Sequence, residues 1–203
     1  MRHVLVVHFS QTGQLDRLAQ SVCAPLRECD GIEVDFLALQ PAEPFPFPWP
    51  FLGFFRIFPE TVLMKPQPLL PLAVDADKRY DLVILAYQVW FLSPSLPCTS
   101  FLASPEAARL LKDTPVVTLI GCRNMWLMAQ EKVKNRLTEL GARLVDNIAL
   151  TDACGTAASF LATPLWLFTG RQKPYSWVPR AGIAEAEIVA ASRFGVAMAQ
   201  RLT

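Results

Sequence analysis

The first side chains that could do chemistry follow the first apolar run of the chain, Val4 to Phe9. The loop after this run consists of Ser10, Gln11, Thr12, Gly13, Gln14 and Leu15. A helical pattern follows, so the loop opens a helix whose first N–H groups are free and whose end is positive. Hydroxyl donors and a glycine that lets the backbone approach closely complete a phosphate site without a cation. A simple helix cap is the alternative.

Two further loops follow the third and fourth apolar runs. The first contains Tyr87, Gln88, Val89 and Trp90, and the second contains Cys122, Arg123, Asn124 and Trp126. Ligands of doubly wound sheets lie beyond the carboxyl ends of the strands, so we expect these loops to meet the phosphate loop. Trp90 and Trp126 could stack on a flat ring, although core packing is the alternative for each.

Five apolar runs predict the strands that must position these loops. They are residues 4–9, 32–39, 82–86, 116–121 and, more weakly, 142–150. Helical spacing separates them, with Pro25 expected to bend or end the first helix and Gly141 expected to end another. The alternation predicts an α/β protein: a three-layer, doubly wound, parallel five-stranded sheet in a single domain, residues 1–203.

Two insertions rich in proline and aromatic residues interrupt the alternation, at about residues 41–74 and 155–180. The prolines of residues 41–59 predict that this part is neither a regular helix nor a central strand. The apolar side chains could pack on each other, line a groove for an alkyl chain, dock a partner or touch a membrane. The sequence alone leaves these alternatives open.

Charge and cysteine content narrow the function classes. The net charge is +1, which favours no nucleic acid partner and lacks the acidity of many electron carriers. The five cysteines have no metal-ligand spacing, so we expect reduced thiols and no metal site. Neither a signal peptide nor an apolar run of ~18 residues is recognisable, which predicts a cytoplasmic protein, with membrane association as an alternative.

The phosphate loop resembles that of flavodoxins, which reads Ser/Thr-x-Thr-Gly-x-Thr, with Leu15 in place of the last hydroxyl residue. This resemblance implies a flavodoxin-like fold and FMN as the cofactor. The phosphate would lie on residues 10–15, and the ring would lie between residues 87–97 and 121–126. Arg123 and Asn124 would then be the candidate catalytic donors beside the ring.

Longer stretches resemble the flavodoxin-like proteins known as dialkylresorcinol condensing enzymes. They are "EPFPFPWPF", "YQVWFLSPSLP", "GCRNMWLMAQEKVK" and "PLWLFTGRQKPY". Carbon–carbon condensation normally needs an acyl-carrying cysteine with histidine or asparagine partners, and no histidine is near Cys122 in sequence. The implied flavin therefore favours a different step, an oxidation that aromatises a cyclic polyketide with alkyl chains, beside a separate ketosynthase that makes the ring.

The sequence is also compatible with three other functions. They are an electron carrier, a quinone or NADPH reductase, and a flavin-free protein whose aromatic segments bind a partner. We also expect a homo-oligomer.

Overall fold

The computed structural model describes residues 1–152 and 156–203, and only the backbone of residues 156 and 157. The strands are β1 (Arg2–His8), β2 (Ile32–Ala38), β3 (Leu82–Trp90), β4 (Ser93–Pro94), β5 (Pro115–Cys122) and β6 (Arg143–Thr151). Apart from the two-residue β4, they form a parallel sheet in the order β2-β1-β3-β5-β6. The predicted five-stranded doubly wound sheet is confirmed, and its order is that of flavodoxin.

Nine helices are assigned within the described ranges. They are α1 (Gln14–Arg27), α2 (Phe51–Arg56), α3 (Phe58–Val62), α4 (Leu96–Leu102), α5 (Pro105–Leu110), α6 (Leu127–Glu139), α7 (Thr156–Thr169), α8 (Glu185–Ala190) and α9 (Ser192–Leu202). Gly141 follows α6 with φ 72°, as expected of a residue that ends a helix.

Alternation along the buried strands builds the two sides of the core. Val4 and Val6 of β1 pack with α1, α8 and α9 on one face of the sheet. Leu5 and Val7 pack with α4, α5 and α6 on the other. Because successive side chains of a strand point to opposite faces, an apolar run such as β1 must be covered twice. This gives the predicted three layers.

One expectation about element boundaries was wrong, because residues 87–90 belong to strand β3 rather than to a loop. Helix α1 includes Pro25 and ends two residues later, at Arg27. The C-terminal segment forms two helices, α8 and α9, which are divided at Ala191.

The insertions are more helical than their prolines predicted. Helices α2 and α3 form within residues 51–62, with Pro50 at the N-cap of α2 and Pro59 in the first turn of α3, where proline is tolerated. Helix α7 spans Pro164. No helix in the described ranges is long and apolar enough to cross a membrane.

The cysteine prediction is confirmed at the four described positions, Cys23, Cys29, Cys98 and Cys122, which are free thiols. Cys154, the remaining cysteine, lies outside the described residues, as does the first residue of the second insertion.

Candidate functional site

A cavity of about 200 Å³ lies at the carboxyl edge of the sheet, where the loops after β1, β3 and β5 meet. The three predicted loops all contribute to its wall, through Thr12, Trp90 and Arg123 among others. The strand order reverses between β1 and β3, which is where doubly wound folds bind their ligands. The geometry therefore brings the three predicted loops together at one site.

Within the phosphate loop, Gly13 is the N-cap of α1 and has φ 77°. This left-handed conformation suits glycine, and it aims the first N–H groups of α1 out of the helix end. The hydroxyl of Ser10 is buried without a hydrogen-bond partner, as expected of a donor whose acceptor is a ligand. Of this loop, Gln11, Thr12, Gln14 and Leu15 line the cavity, whereas Ser10 and Gly13 face its neighbour on the β2 side.

Leu15 is buried at 2% exposure and packs beneath the loop. A Cβ atom added to Gly121 would lie only 3.2 Å from Leu15 Cδ1, so the leucine fills the space that Gly121 leaves. Leu15 therefore supplies packing at the position where flavodoxins have a hydroxyl. A phosphate here would depend on the remaining hydroxyls and the backbone N–H groups.

Two glutamine side chains connect the phosphate loop to distant segments, the first insertion and the residues before α8. Gln11 Nε2 donates to the carbonyl of Pro46 at 3.0 Å. Gln14 Nε2 donates to the carbonyl of Ile183 at 3.2 Å, and its Oε1 accepts from the N–H of Ile183 at 3.1 Å. Both polar atoms of the Gln14 side-chain amide are thus bonded to the backbone of Ile183, which fixes the orientation of this side chain.

His8 lies behind the same loop and is buried. Its Nδ1 is 3.6 Å from Asp16 Oδ1. Burial lowers the pKa of His8, although the Asp16 carboxylate acts in the opposite direction. The imidazole is therefore neutral at neutral pH, which agrees with a phosphate loop that relies on N–H groups and hydroxyls.

The end of β3 forms a hairpin at the cavity. Gln88, Val89, Trp90 and Phe91 line the wall, and Gln88 Oε1 is buried without a partner. Phe91 and Leu92 have φ 47° and 58°, which is unusual for bulky residues and stores backbone strain at the site. Tyr87 does not line the cavity, because strand alternation turns its hydroxyl into the core, where it donates to Gln130 at 2.7 Å.

The loop after β5 contributes Cys122 and Arg123 to the wall. Arg123 stacks its guanidinium 4.0 Å above the ring of Phe160. Burial raises the pKa of the Cys122 thiol to about 12, and the Asp152 carboxylate adds to this effect. Cys122 is therefore a neutral thiol near pH 7, unsuited to carry an acyl group by nucleophilic attack.

The structure does not bring Asn124 and Trp126 to the cavity wall. Asn124 is exposed, and Trp126 is the N-cap of α6, where it packs against the core on the α6 side of the sheet. The proposed role of Trp126 in ring stacking therefore has no support from its position. Trp90, by contrast, lines the cavity.

The two insertions form the roof of the cavity. Phe47 and Phe54 come from the first insertion, and Trp166 and Leu167 come from α7. The N–H of Trp49 donates to the carbonyl of Leu167 at 2.9 Å, and Phe47 meets Trp166 edge to face at 6.2 Å. The insertions therefore pack on each other, which is one of the alternatives left open by the sequence, and they also line the cavity.

Sequence reasoning missed Asp152, which follows β6 and lines the cavity. Its backbone N–H donates to the carbonyl of Cys122 at 3.1 Å, and Oδ2 accepts from the Thr163 hydroxyl at 3.0 Å. The signal was present, since a carboxylate directly after a strand lies at the same carboxyl edge as the three predicted loops. Asp152 is the carboxylate in the described wall of the cavity.

Several solved structures are similar to this chain. A flavoprotein in complex with FMN from Lactobacillus acidophilus is 13% identical, with a TM-score of 0.57 over 73% of this chain and 93% of that one. A flavodoxin from the domain Archaea is 10% identical, with a TM-score of 0.55 over 100% and 99% of the two chains. Flavodoxin 1 from Bacillus cereus is 11% identical, with a TM-score of 0.54 over 99% of each chain. No protein-family model and no curated protein sequence matches the chain. These similarities establish the flavodoxin-like fold.

Proposed function

We propose that this protein binds FMN in the cavity and oxidises an apolar cyclic substrate that carries alkyl chains. The observation that carries the proposal is the meeting of three loops with an aromatic roof at the strand-order switch. The similar flavoprotein from Lactobacillus acidophilus is in complex with FMN. Gln88 Oε1, which is buried without a partner in the cavity wall, fits a ligand that donates a hydrogen bond, and Ser10 Oγ is likewise without a partner on the β2 side of the loop.

We assign the phosphate and the ring of the cofactor to different parts of the site. The backbone N–H groups of α1, Ser10 and Thr12 would hold the phosphate, as a cation-free nest does. Gln88, Val89 and Trp90 would lie against the ring on one side, and Cys122 with Arg123 on the other. The apolar roof of Phe47, Phe54, Trp166 and Leu167 would exclude water and hold the substrate.

The reaction we propose is the aromatisation of an alkylated cyclohexane-1,3-dione to a resorcinol. Bound FMN supplies a two-electron acceptor. In such a reaction a hydride would leave one ring carbon of the substrate and a proton would leave the neighbouring carbon, after which the dione would tautomerise to the aromatic diol. Asp152 would accept the proton, and a quinone or dioxygen would serve as the final oxidant.

Ring formation is assigned to a separate ketosynthase. The neutral Cys122 thiol has no histidine beside it in the described wall of the cavity, and His3 lies at the opposite edge of the sheet, paired with Glu33. A carbon–carbon condensation through an acyl-cysteine would need the missing base. The resemblance in sequence to the dialkylresorcinol proteins also supports this division of labour.

The first test supplies the FMN-loaded protein with an alkylated cyclohexane-1,3-dione and follows the resorcinol by mass spectrometry. We expect turnover to rise with alkyl length until the apolar part of the cavity is filled, because each buried methylene contributes ~0.8 kcal/mol to the free energy of binding. Asp152→Asn should slow turnover by roughly 10²- to 10⁴-fold while retaining FMN. Asp146→Asn, exposed on β6, is the matched control. FMN binding without oxidation of any chain length would instead favour an electron carrier.

Arg123 gives a second expectation. Its guanidinium is expected to stabilise negative charge on the reduced cofactor and so raise its reduction potential. Arg123→Ala should lower the potential, whereas Arg123→Lys, which keeps a positive charge, should retain most of it. The measurement is a dye-coupled redox titration of the FMN-loaded variants. An unchanged reduction potential in Arg123→Ala would show that Arg123 has no catalytic role. An unchanged potential in Asn124→Ala would show the same for Asn124.

A further inference from the structure

Large apolar side chains are exposed around the mouth of the cavity. We call this set the apolar face, and it consists of Phe51, Leu52, Phe55, Phe58, Phe160 and Leu161. The exposed fraction is 62% for Phe51 and 69% for Leu52, so most of the surface of these side chains is in contact with solvent. Exposed single apolar residues are ordinary, but a contiguous set of this kind marks an interaction surface.

Ring contacts and positions along α7 connect the parts of the apolar face. Phe51 lies 5.1 Å from Phe55 and 5.3 Å from Phe168 between ring centroids. Leu161 and Phe168 are seven residues apart on α7, so they share one side of that helix. Phe160, beside Leu161, is the ring over which Arg123 stacks. The apolar face therefore runs from α2 along α7 to the loop after β5.

The same face is continuous with the wall of the cavity. Phe54 lines the cavity and contacts both Phe55 and Phe168, at 5.5 Å and 5.9 Å between centroids. Phe91 also lines the cavity and meets Phe58 at 5.0 Å. An apolar molecule could therefore pass from the face into the cavity without leaving apolar contacts.

Exposed cations accompany the apolar face. They are Arg56 on α2, Lys65 after α3, and Arg171 and Lys173 after α7. The ion pairs formed by the described residues involve none of these four. Residues 153–184 contain three basic residues and no aspartate or glutamate, in a chain whose net charge is only +1. The second insertion thus carries only positive charge, whereas Arg56 and Lys65 of the first insertion are accompanied by Glu43 and Glu60.

Tyr175 and Trp177 add a feature typical of lipid contact. Their rings are stacked at 5.7 Å, and Trp177 is 70% exposed. Val178, the next residue, is buried against Ala162 of α7, so the pair is held beside that helix. Tyrosine and tryptophan prefer the interface between lipid and water, because each ring has an apolar body and a polar atom.

We propose that the apolar face docks on the surface of an anionic lipid bilayer, with the mouth of the cavity towards the acyl chains. Phenylalanine and leucine side chains would enter the boundary between head groups and acyl chains, and the four cations would contact anionic head groups. A protein partner of this face would need an acidic rim and a matching apolar groove, whereas an anionic bilayer offers both properties without a specific shape. The proposal does not depend on FMN, because every contact in it belongs to the chain itself.

The test is sedimentation of the protein with vesicles of phosphatidylcholine alone or mixed with phosphatidylglycerol, at low and high salt. We expect binding to the anionic vesicles that falls as salt rises. The double variants Phe51→Ser/Leu52→Ser and Arg171→Glu/Lys173→Glu should each lower the partition coefficient by roughly tenfold or more. Val189→Ser and Arg201→Glu, at exposed positions on α8 and α9, are the matched controls and should bind as the parent protein does.

Equal binding to the two kinds of vesicle, or binding of both double variants at the parent level, would overturn the proposal. So would the absence of binding to anionic vesicles combined with self-association that the same variants abolish, since the face would then join two copies of the chain. Circular dichroism of each variant shows whether the fold is intact, and FMN binding measured in parallel separates a failure here from a failure of the proposed cofactor.

Discussion

Gly13→Val is expected to weaken FMN binding by a factor on the order of ten to a hundred while the protein stays folded. Gly13 has φ 77°, and no atom lies within 4 Å of a Cβ added there, so the Cβ of the valine would meet open space. Its cost is confined to the backbone, because a β-branched residue disfavours the left-handed region by about 1–3 kcal/mol. The loop would relax, and the N–H groups of α1 would no longer converge on the phosphate.

The chain offers a matched control for this prediction. Gly31 also has a positive φ, of 87°, and open space at its Cβ position, but it precedes β2 at the opposite edge of the sheet. Gly31→Val should cost similar stability and leave FMN affinity unchanged, as measured by quenching of flavin fluorescence. A folded Gly13→Val protein that binds FMN as tightly as the parent would show that the phosphate lies elsewhere.

Trp49→Ala is expected to lower the free energy of unfolding by about 3–5 kcal/mol. Trp49 is only 4% exposed, and its ring contacts Phe45, Phe54 and Trp90 at centroid distances of 5.6 to 5.9 Å. Removing it would leave a void where the insertions meet the end of β3. The roof of the cavity should loosen as well, so binding of an alkylated substrate should fall with stability.

Two further substitutions show whether the loss of stability comes from packing at Trp49 or from the removal of any tryptophan. Trp49 Nε1 is buried without a hydrogen-bond partner, so Trp49→Phe, which keeps a ring and removes that donor, should cost less than ~1.5 kcal/mol. Trp177→Ala, at a 70% exposed position, should be close to neutral. Chemical denaturation followed by far-ultraviolet circular dichroism measures all three. Equal losses for Trp49→Ala and Trp177→Ala would mean that the insertions do not form a shared core.

The layers of the fold could be predicted because the strands are buried on both faces. An uninterrupted apolar run such as Val4 to Val7 predicts a strand that is covered on both faces, and this prediction needs no knowledge of the neighbouring strands. The helices of the insertions could not be predicted in the same way. Pro50 and Pro59 stop a helix in general but are harmless at its first positions, and only the neighbouring aromatic contacts select those positions.

The site was predictable as far as it depends on strand ends. Thr12, Trp90 and Arg123 meet in one cavity because parallel strands place their following loops at one edge. Tyr87 and Trp126 show the limit, since a shift of one residue along a strand or a helix turns a side chain from the cavity into the core. The contact of Gln14 with Ile183 had no local signal at all, because the two residues are 169 positions apart.

That contact has a consequence for how the protein is made. Ile183 holds Gln14, and α8 and α9 cover α1, so the phosphate loop is completed only after segments far later in the chain have been synthesised. Until then, a nascent chain would expose α1 and its loop.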